Sequence, residues 1–338
     1  MGQYPVCEFC YENEKEQNLN TKNKNLIISG NNPPSIMDRP ILKDNKLRHP
    51  PTLSYVGATH TTIREGFGII KWTNDCFFKG IFHNGIPSGW GIYCSPKNGT
   101  YKGEYYQDLP NGYGLYEHVT ESNYEGYWVN EKQEGYGIEK WYDGSFYSGK
   151  FNMGKKSGIG TYIFANGNIY MGEWEQNAMN GFGIYRYGKG HIYMGQWMNG
   201  LRDGYGEIYG AGGYNYLYGY FRNNIQNGFF MFYNSKTGKI IIGFNTNGKI
   251  DGIVKTFKGK KEGKLTVIQN GHRLKEIENE DKVIEYLESH KQKYFKNQRF
   301  FDYFIMKRDE LEKILKNKCN LDEINETHEL LGDLRDYK

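Results

Sequence analysis

Cys7-Glu8-Phe9-Cys10 is the first place in this chain where residue type and spacing could serve chemistry. Two thiols separated by two residues make half of a zinc knuckle. No second pair follows, and a closed zinc site needs four ligands, so the expectation is two free thiols and no metal. Met1-Gly2 offers a glycine for acylation, although Val6 stands where the myristoylation pattern asks for Ser or Thr. One acyl chain anchors only marginally, and Cys7 or Cys10 could carry a second. Lys255, Lys258, Lys260, Lys261 and Lys264 form a dense basic cluster. Such a run is an ordinary solvated face or, if lipid-facing, contributes about 1 kcal/mol per lysine against anionic headgroups. The eight histidines are scattered, and none sits in a context that marks a nucleophile–base pair. Gly-x-Gly strings recur, but inside strand-like segments rather than between a strand and a helix, so they are not phosphate-cradling loops. No catalytic residue and no cofactor is expected.

The elements that must position any site are legible in the composition. Of 338 residues, 44 are Gly, 30 Tyr and 19 Phe, whereas only 9 are Pro. Glycine with aromatics, rather than Leu with Ala, points to β-structure in which rings lie on bare backbone. A formal net charge of +4 gives no nucleic-acid signal, and Glu104, Glu125, Glu139 and Glu173 break up any basic stripe along the aromatic region. Five cysteines form no disulfide framework. Without a signal peptide or a run of 18 apolar residues, the expectation is a cytoplasmic chain with reduced thiols, peripheral to a membrane or cytoskeletal structure if it is near one.

Glycines fall on a grid. Gly80, Gly103, Gly126, Gly149, Gly172 and Gly195 are 23 residues apart, with Gly57 before them and Gly219 and Gly243 after. Nine residues beyond each is another glycine, from Gly66 and Gly89 to Gly228 and Gly252, and most units have a third two residues later. Each unit reads as two short strands. The first is aromatic-x-Gly-x-aromatic, as in Tyr101-Lys102-Gly103-Glu104-Tyr105, which puts ring, glycine and ring on one side and Lys102 and Glu104 on the other. The second is Gly-x-Gly, as in Gly112-Tyr113-Gly114, and sends Trp90, Tyr113, Tyr136, Phe182 and Tyr205 to the opposite parity from its glycines. Turn-formers such as Gly85, Asp108, Gly154, Asn177 and Gly200 join the two. The missing Cβ of the glycine leaves a slot that a neighbouring strand's ring fills. Thr59 and Asn245 replace rings in the outermost units, as edges that must not propagate would require.

The pattern Tyr-x-Gly-x-Trp-x-x-Gly-x-x-x-Gly-x-Gly, best matched by Tyr193 to Gly206, resembles the MORN (membrane occupation and recognition nexus) family. The resemblance implies a mainly β chain: an elongated, single-layer antiparallel hairpin array that binds proteins or sits near membranes and pairs end to end as a homodimer. It covers residues 55–265 as nine repeats. Family relatives join such repeats to lipid kinases or methyltransferases, but no such catalytic motif follows here, which leaves at most an accessory role. The expected partner-binding groove is the ring ladder of Tyr101, Tyr105, Tyr124, Trp128, Tyr147, Phe151, Tyr170, Trp174, Tyr193 and Trp197, chiefly structural with partial exposure. The leading expectation is a non-catalytic scaffold for a protein segment; the alternative is a tether to anionic lipid.

Residues 1–54 are polar, Asn-rich and interrupted by Pro33-Pro34 and Pro50-Pro51, the composition of a disordered tail, although Leu26-Ile27-Ile28 could add a strand to the array's first edge. Residues 266–338 change character. Val283, Leu287, His290 and Tyr294 make one helical stripe; Phe301, Phe304, Ile305, Leu311 and Leu315 make a second; Ile324, His328 and Leu331 suggest a third. So apolar a segment should pack on the array or on a partner.

Overall fold

The computed structural model describes residues 51–257, 264–269, 271–277, 280–289, 298–306 and 308–318. Among these residues, twenty-one strands between Thr52 and Ile277 form one antiparallel sheet, followed by the helices α1 (Glu280–Ser289), α2 (Gln298–Ile305) and α3 (Arg308–Lys318). The described residues fall into two compact units, 51–181 and 182–318, and the strand Ala178–Arg186 carries the chain from one to the other. The strands run past residue 265, because Lys264–Gln269 and His272–Ile277 add a further hairpin.

Two-residue turns make the hairpins. Gln107 and Asp108, Asn130 and Glu131, Met153 and Gly154, and Asn177 with Gln176 all have positive φ, as type I′ turns demand at both central residues. The right-handed strand twist favours this turn, and the frequency of Asn and Gly there follows from it. The second turn residue also reaches the preceding hairpin. The amide of Asp108 donates to the Pro87 carbonyl at 2.9 Å, that of Glu131 to Pro110 at 3.0 Å, that of Gly154 to Gln133 at 2.9 Å and that of Asn177 to Lys156 at 3.1 Å. Within 182–318, Asn224 and Gly248 repeat this toward Arg202 and Gln226.

Glycine faces glycine across every strand of the first unit. The register pairs Gly57, Gly68, Gly80, Gly91, Gly103, Gly114, Gly126, Gly137, Gly149, Gly160 and Gly172 in an unbroken line. A Cβ built on Gly149 would stand 2.5 Å from both the Gly160 Cα and the Tyr147 hydroxyl. The ring that fills the slot therefore comes from the glycine's own strand and reaches across to the next. Its hydroxyl then donates to a carbonyl three residues on: Tyr101 to Glu104 at 3.1 Å, Tyr124 to Tyr127 at 3.1 Å, Tyr147 to Lys150 at 3.0 Å and Tyr170 to Glu173 at 2.9 Å. Trp128 and Trp174 donate their indole N–H to Gly114 and Gly160. Edge-to-face contacts tie successive units, as from Tyr101 to Trp128 at 5.5 Å and from Tyr124 to Phe151 at 5.1 Å.

The first glycine of each second strand does something else. Gly112 has φ +101° and lies at a register break between Gly103 and Tyr105, so it is a bulge residue rather than part of the alternating strand. The bulge frees the Tyr113 amide, which donates to the Glu104 carboxylate at 3.2 Å; Gln196 accepts the Tyr205 amide in the same way at 2.8 Å.

In residues 182–318 a second core lies on the opposite side of the sheet from the glycine line. Phe229, Met231, Tyr233, Ile240, Ile242, Phe244, Ile253, Phe257 and Leu265 form one buried cluster with Leu287 of α1, Phe300 and Tyr303 of α2, and Leu311 and Leu315 of α3. The expected docking of the helices on the array is what the structure shows. The second expected stripe is divided, since α2 ends at Ile305 and α3 begins at Arg308. Asn245 is no edge cap. It is buried, donates its amide to Gln226 at 2.5 Å, and further strands follow it.

Candidate partner-binding face

The ten rings expected to line a groove are all buried: Tyr101, Tyr124, Tyr147, Tyr170 and Tyr193 are fully enclosed, and Tyr105, Trp128, Phe151, Trp174 and Trp197 nearly so. The expected partial exposure is corrected: Tyr101, Tyr124, Tyr147 and Tyr193 lie down on glycine pairs and meet, edge to face, Trp128, Phe151, Trp174 and Phe221 of the next unit. Burial pushes the phenols of Tyr101, Tyr124, Tyr147 and Tyr193 well above their ordinary range and that of Tyr116 up to about 12. This side of the sheet is core.

Polar groups are built into the same core. The Lys156 ammonium is 3.1 Å from the Glu139 carboxylate, with side chains only 6% and 4% exposed. It also lies 4.7 Å from the Trp141 ring centroid and 5.2 Å from that of Tyr147. Desolvation holds the Glu139 carboxyl above its ordinary range, and Lys156 opposes the shift. Arg202 is similarly buried between Tyr193 and Phe221 and donates to the Asn224 carbonyl at 2.9 Å.

The accessible apolar surface is on the other side. The residue before each second-strand glycine pairs with the residue after each first-strand glycine, so Phe67 faces Ile81, Trp90 faces Glu104, Tyr113 faces Tyr127, Tyr136 faces Lys150 and Ile159 faces Glu173. Together they form one row across the strands of residues 51–181. Phe67, Ile81, Trp90, Tyr113, Tyr127, Tyr136 and Ile159 are all exposed, Tyr136 at 68%. Tyr113 donates to Glu125 at 2.9 Å and packs edge-on against Tyr127 at 5.5 Å, which fixes both rings.

The same register positions in residues 182–318 are Tyr205 with Tyr220, Phe229 with Phe244, and Ile253 with Val267. Here the row is covered at Phe229, Phe244 and Ile253, while Tyr205, and Phe182 at the same register position, stay exposed. Phe300 of α2 stacks on Phe229 with centroids 4.1 Å apart and planes within 2°, and its ring is 5.6 Å from that of Tyr205. Lys255 donates to the Met306 carbonyl at 3.3 Å, just beyond α2. A cavity of about 860 Å³ opens where the row leaves the helices, lined by Tyr205, Tyr220, Arg222, Phe229, Tyr286 and Phe300 among others.

Of the remaining expected site residues, Lys264 is ion-paired with Glu276 at 2.7 Å. Lys258, Lys260, Lys261, Gly2, Cys7 and Cys10 lie outside the described residues, as do Leu26–Ile28, His290, Tyr294, Ile324, His328 and Leu331. The side chains of Val283, Phe301, Phe304 and Ile305 are also outside what is described. Among the described residues no cluster of His, Cys, Asp and Glu could hold a metal, and no helix is long and apolar enough to cross a membrane. The parity of Trp90, Tyr113 and Tyr136 was a sufficient signal for three of the seven exposed residues, and Phe67 and Ile159, at the same parity, were not singled out. Ile81 and Tyr127 were missed, although glycine-to-glycine pairing places them opposite those rings.

The MORN repeat family model matches residues 78–100, 101–120, 124–146, 147–169, 170–192 and 193–213. No curated protein sequence matches. Among solved structures, the chain is similar to the TCP domain of Drosophila melanogaster SAS-4 (dCPAP), solved with a proline-rich motif of Ana2 (dSTIL), at 15% identity over 49% of this chain and 91% of that one, with a TM-score of 0.29. It is also similar to the wild-type TCP10 domain of Danio rerio CPAP, at 11% identity over 63% and 96%, with a TM-score of 0.31. The CPAP G-box domain gives 11% identity over 60% and 100%, with a TM-score of 0.33. The matched stretch contains the glycine line, the tyrosine–tryptophan pairs and the 23-residue step, and the chain carries six MORN repeats between residues 78 and 213.

Proposed function

We propose that this chain is a non-catalytic scaffold that holds a segment of a protein partner on the face opposite the glycine line, across residues 51–181. One observation carries the reading. The row that begins at Phe67 is bare in this unit, whereas in residues 182–318 its register equivalents Phe229, Phe244 and Ile253 are buried with the chain's own helices. Seven large apolar side chains in one row exceed the scattered exposure usual on a soluble surface. In this reading the chain works in the cytoplasm, within whatever membrane-proximal or cytoskeletal assembly its partner belongs to. The lipid tether has less support, since Lys255 and Lys264 are engaged within the chain by Met306 and Glu276.

A photo-crosslinking side chain at Tyr136 of the full chain, compared with one at the equally exposed Tyr142 on the adjacent loop, tests the proposal in the native cell. A discrete protein adduct from position 136 that disappears with Trp90→Ser and Tyr113→Ser is expected. Adducts of equal yield from both positions, or none from 136, would sink it.

A further inference from the structure

We infer that the segment held by the exposed row is an amphipathic α-helix of about four heptads lying across the strands, an inference that rests on the scaffold reading and specifies its ligand. The first argument is spacing. Neighbouring strands are about 4.8 Å apart, so a feature present once per hairpin recurs every ~9.6 Å. Phe67, Trp90, Tyr113, Tyr136 and Ile159 are such features, one per 23-residue unit. A helix rises 1.5 Å per residue, so seven residues advance about 10.5 Å, and the positions three or four residues on fall near the intervening strand. The row from Phe67 to Glu173 crosses ten strands. Its nine steps of ~4.8 Å span about 43 Å, the length of about 29 helical residues.

The intervening positions decide between backbone forms. A polyproline helix also repeats near this distance, at about 9.3 Å per three residues, but shows the sheet one side chain per hairpin. Ile81 and Tyr127 lie on the intervening strands and are exposed, so they call for a ligand with a side chain at every strand. The other intervening positions are Glu104, Lys150 and Glu173. A matching helix therefore alternates a constant apolar position with a second that is apolar opposite Ile81 and Tyr127, basic opposite the two glutamates and acidic opposite the lysine. The second argument is the covered row itself. In residues 182–318 these positions are occupied by a helix whose Phe300 and Tyr303, three residues apart, both stack on Phe229. A helix thus seats on these positions through aromatic residues one turn apart.

The test uses the full chain and a synthetic 28-residue peptide of four heptads, with Phe or Leu at the first core position and Leu, Arg, Leu and Glu in turn at the second, to match Ile81, Glu104, Tyr127 and Lys150. One control is a peptide of the same composition in permuted order; the other is a proline-rich peptide of equal length. Fluorescence anisotropy should show the heptad peptide binding at least tenfold more tightly than either control, with helical circular dichroism appearing on binding. Tyr113→Asp with Tyr136→Asp, at two exposed positions, should weaken it at least tenfold while leaving the melting temperature unchanged. Failure of the heptad peptide to bind, equal binding of a control, or binding that survives the double variant overturns the inference. So does a double variant that instead loses 3:1 phosphatidylcholine–phosphatidylserine vesicles, or that converts a dimer of this chain to a monomer in sedimentation. The scaffold reading is judged separately: a partner adduct at Tyr136 mapping to a segment without heptads overturns the helix alone.

Discussion

At the scale of single residues, the fold rests on positions where no atom can be added. Gly149→Val would drive a branched side chain into the Gly160 backbone and the Tyr147 hydroxyl, and should cost about 2–4 kcal/mol. Lys150→Val, one residue away on the exposed row, should stay within about 0.5 kcal/mol. Equal shifts of the two urea midpoints would contradict the assignment of faces. Lys156→Met should be among the most damaging single changes, at about 3–5 kcal/mol, because it leaves the Glu139 carboxylate buried without its cation. Folding raises the Glu139 pKa, so the folded chain holds that proton more tightly than the unfolded chain does. This group therefore favours the fold at low pH, and its contribution is lost as pH rises from the ordinary carboxylate range through the raised value. Wild type should gain stability relative to Glu139→Gln as pH falls from about 7 toward 4.5, a difference that paired denaturation curves measure. The pair was invisible in the sequence because its members are 17 residues apart and neither is unusual locally; only the register brings them together.

At the scale of elements, the hairpin is where sequence and structure agree most closely, for a physical reason. Type I′ turns and backbone-to-backbone glycine pairs tolerate few residue types, so they leave a periodic trace in any chain that uses them. Faces leave a weaker trace. Period two tells which side chains share a side, not which side is covered, and so the ladder from Tyr101 to Trp197 was read as chiefly structural but partly exposed along a groove, when it is buried throughout. Gly112 and its equivalents looked like strand glycines because a bulge shifts parity without changing residue type. Turn chemistry also yields a prediction. Met153 is exposed and has φ +50°, a conformation that costs most side chains about 1–2 kcal/mol and Asn much less. Met153→Asn should raise stability by about 0.5–1 kcal/mol in a thermal melt.

At the scale of the molecule, residues 182–318 finish a core that strands alone leave open. Phe300→Ala should cost about 3–5 kcal/mol and increase dye binding to apolar surface, because it empties the stack on Phe229. Truncation before α1 should expose Phe244, Ile242 and Leu265 and drive self-association, which light scattering would report. That the helices dock was legible in the density of aromatics near residue 300; that α2 uses Phe300 and Tyr303 was not, since several faces of so apolar a helix fit the pattern equally well. The turn bonds from Asp108 to Pro87, Glu131 to Pro110 and Gly154 to Gln133 carry one more consequence. Each donor is synthesised after its acceptor, so the turn of a hairpin leaving the ribosome meets a carbonyl that is already in place. Growth by accretion in the direction of translation would let residues 51–181 reach their final form while the helices of the same chain are still unmade.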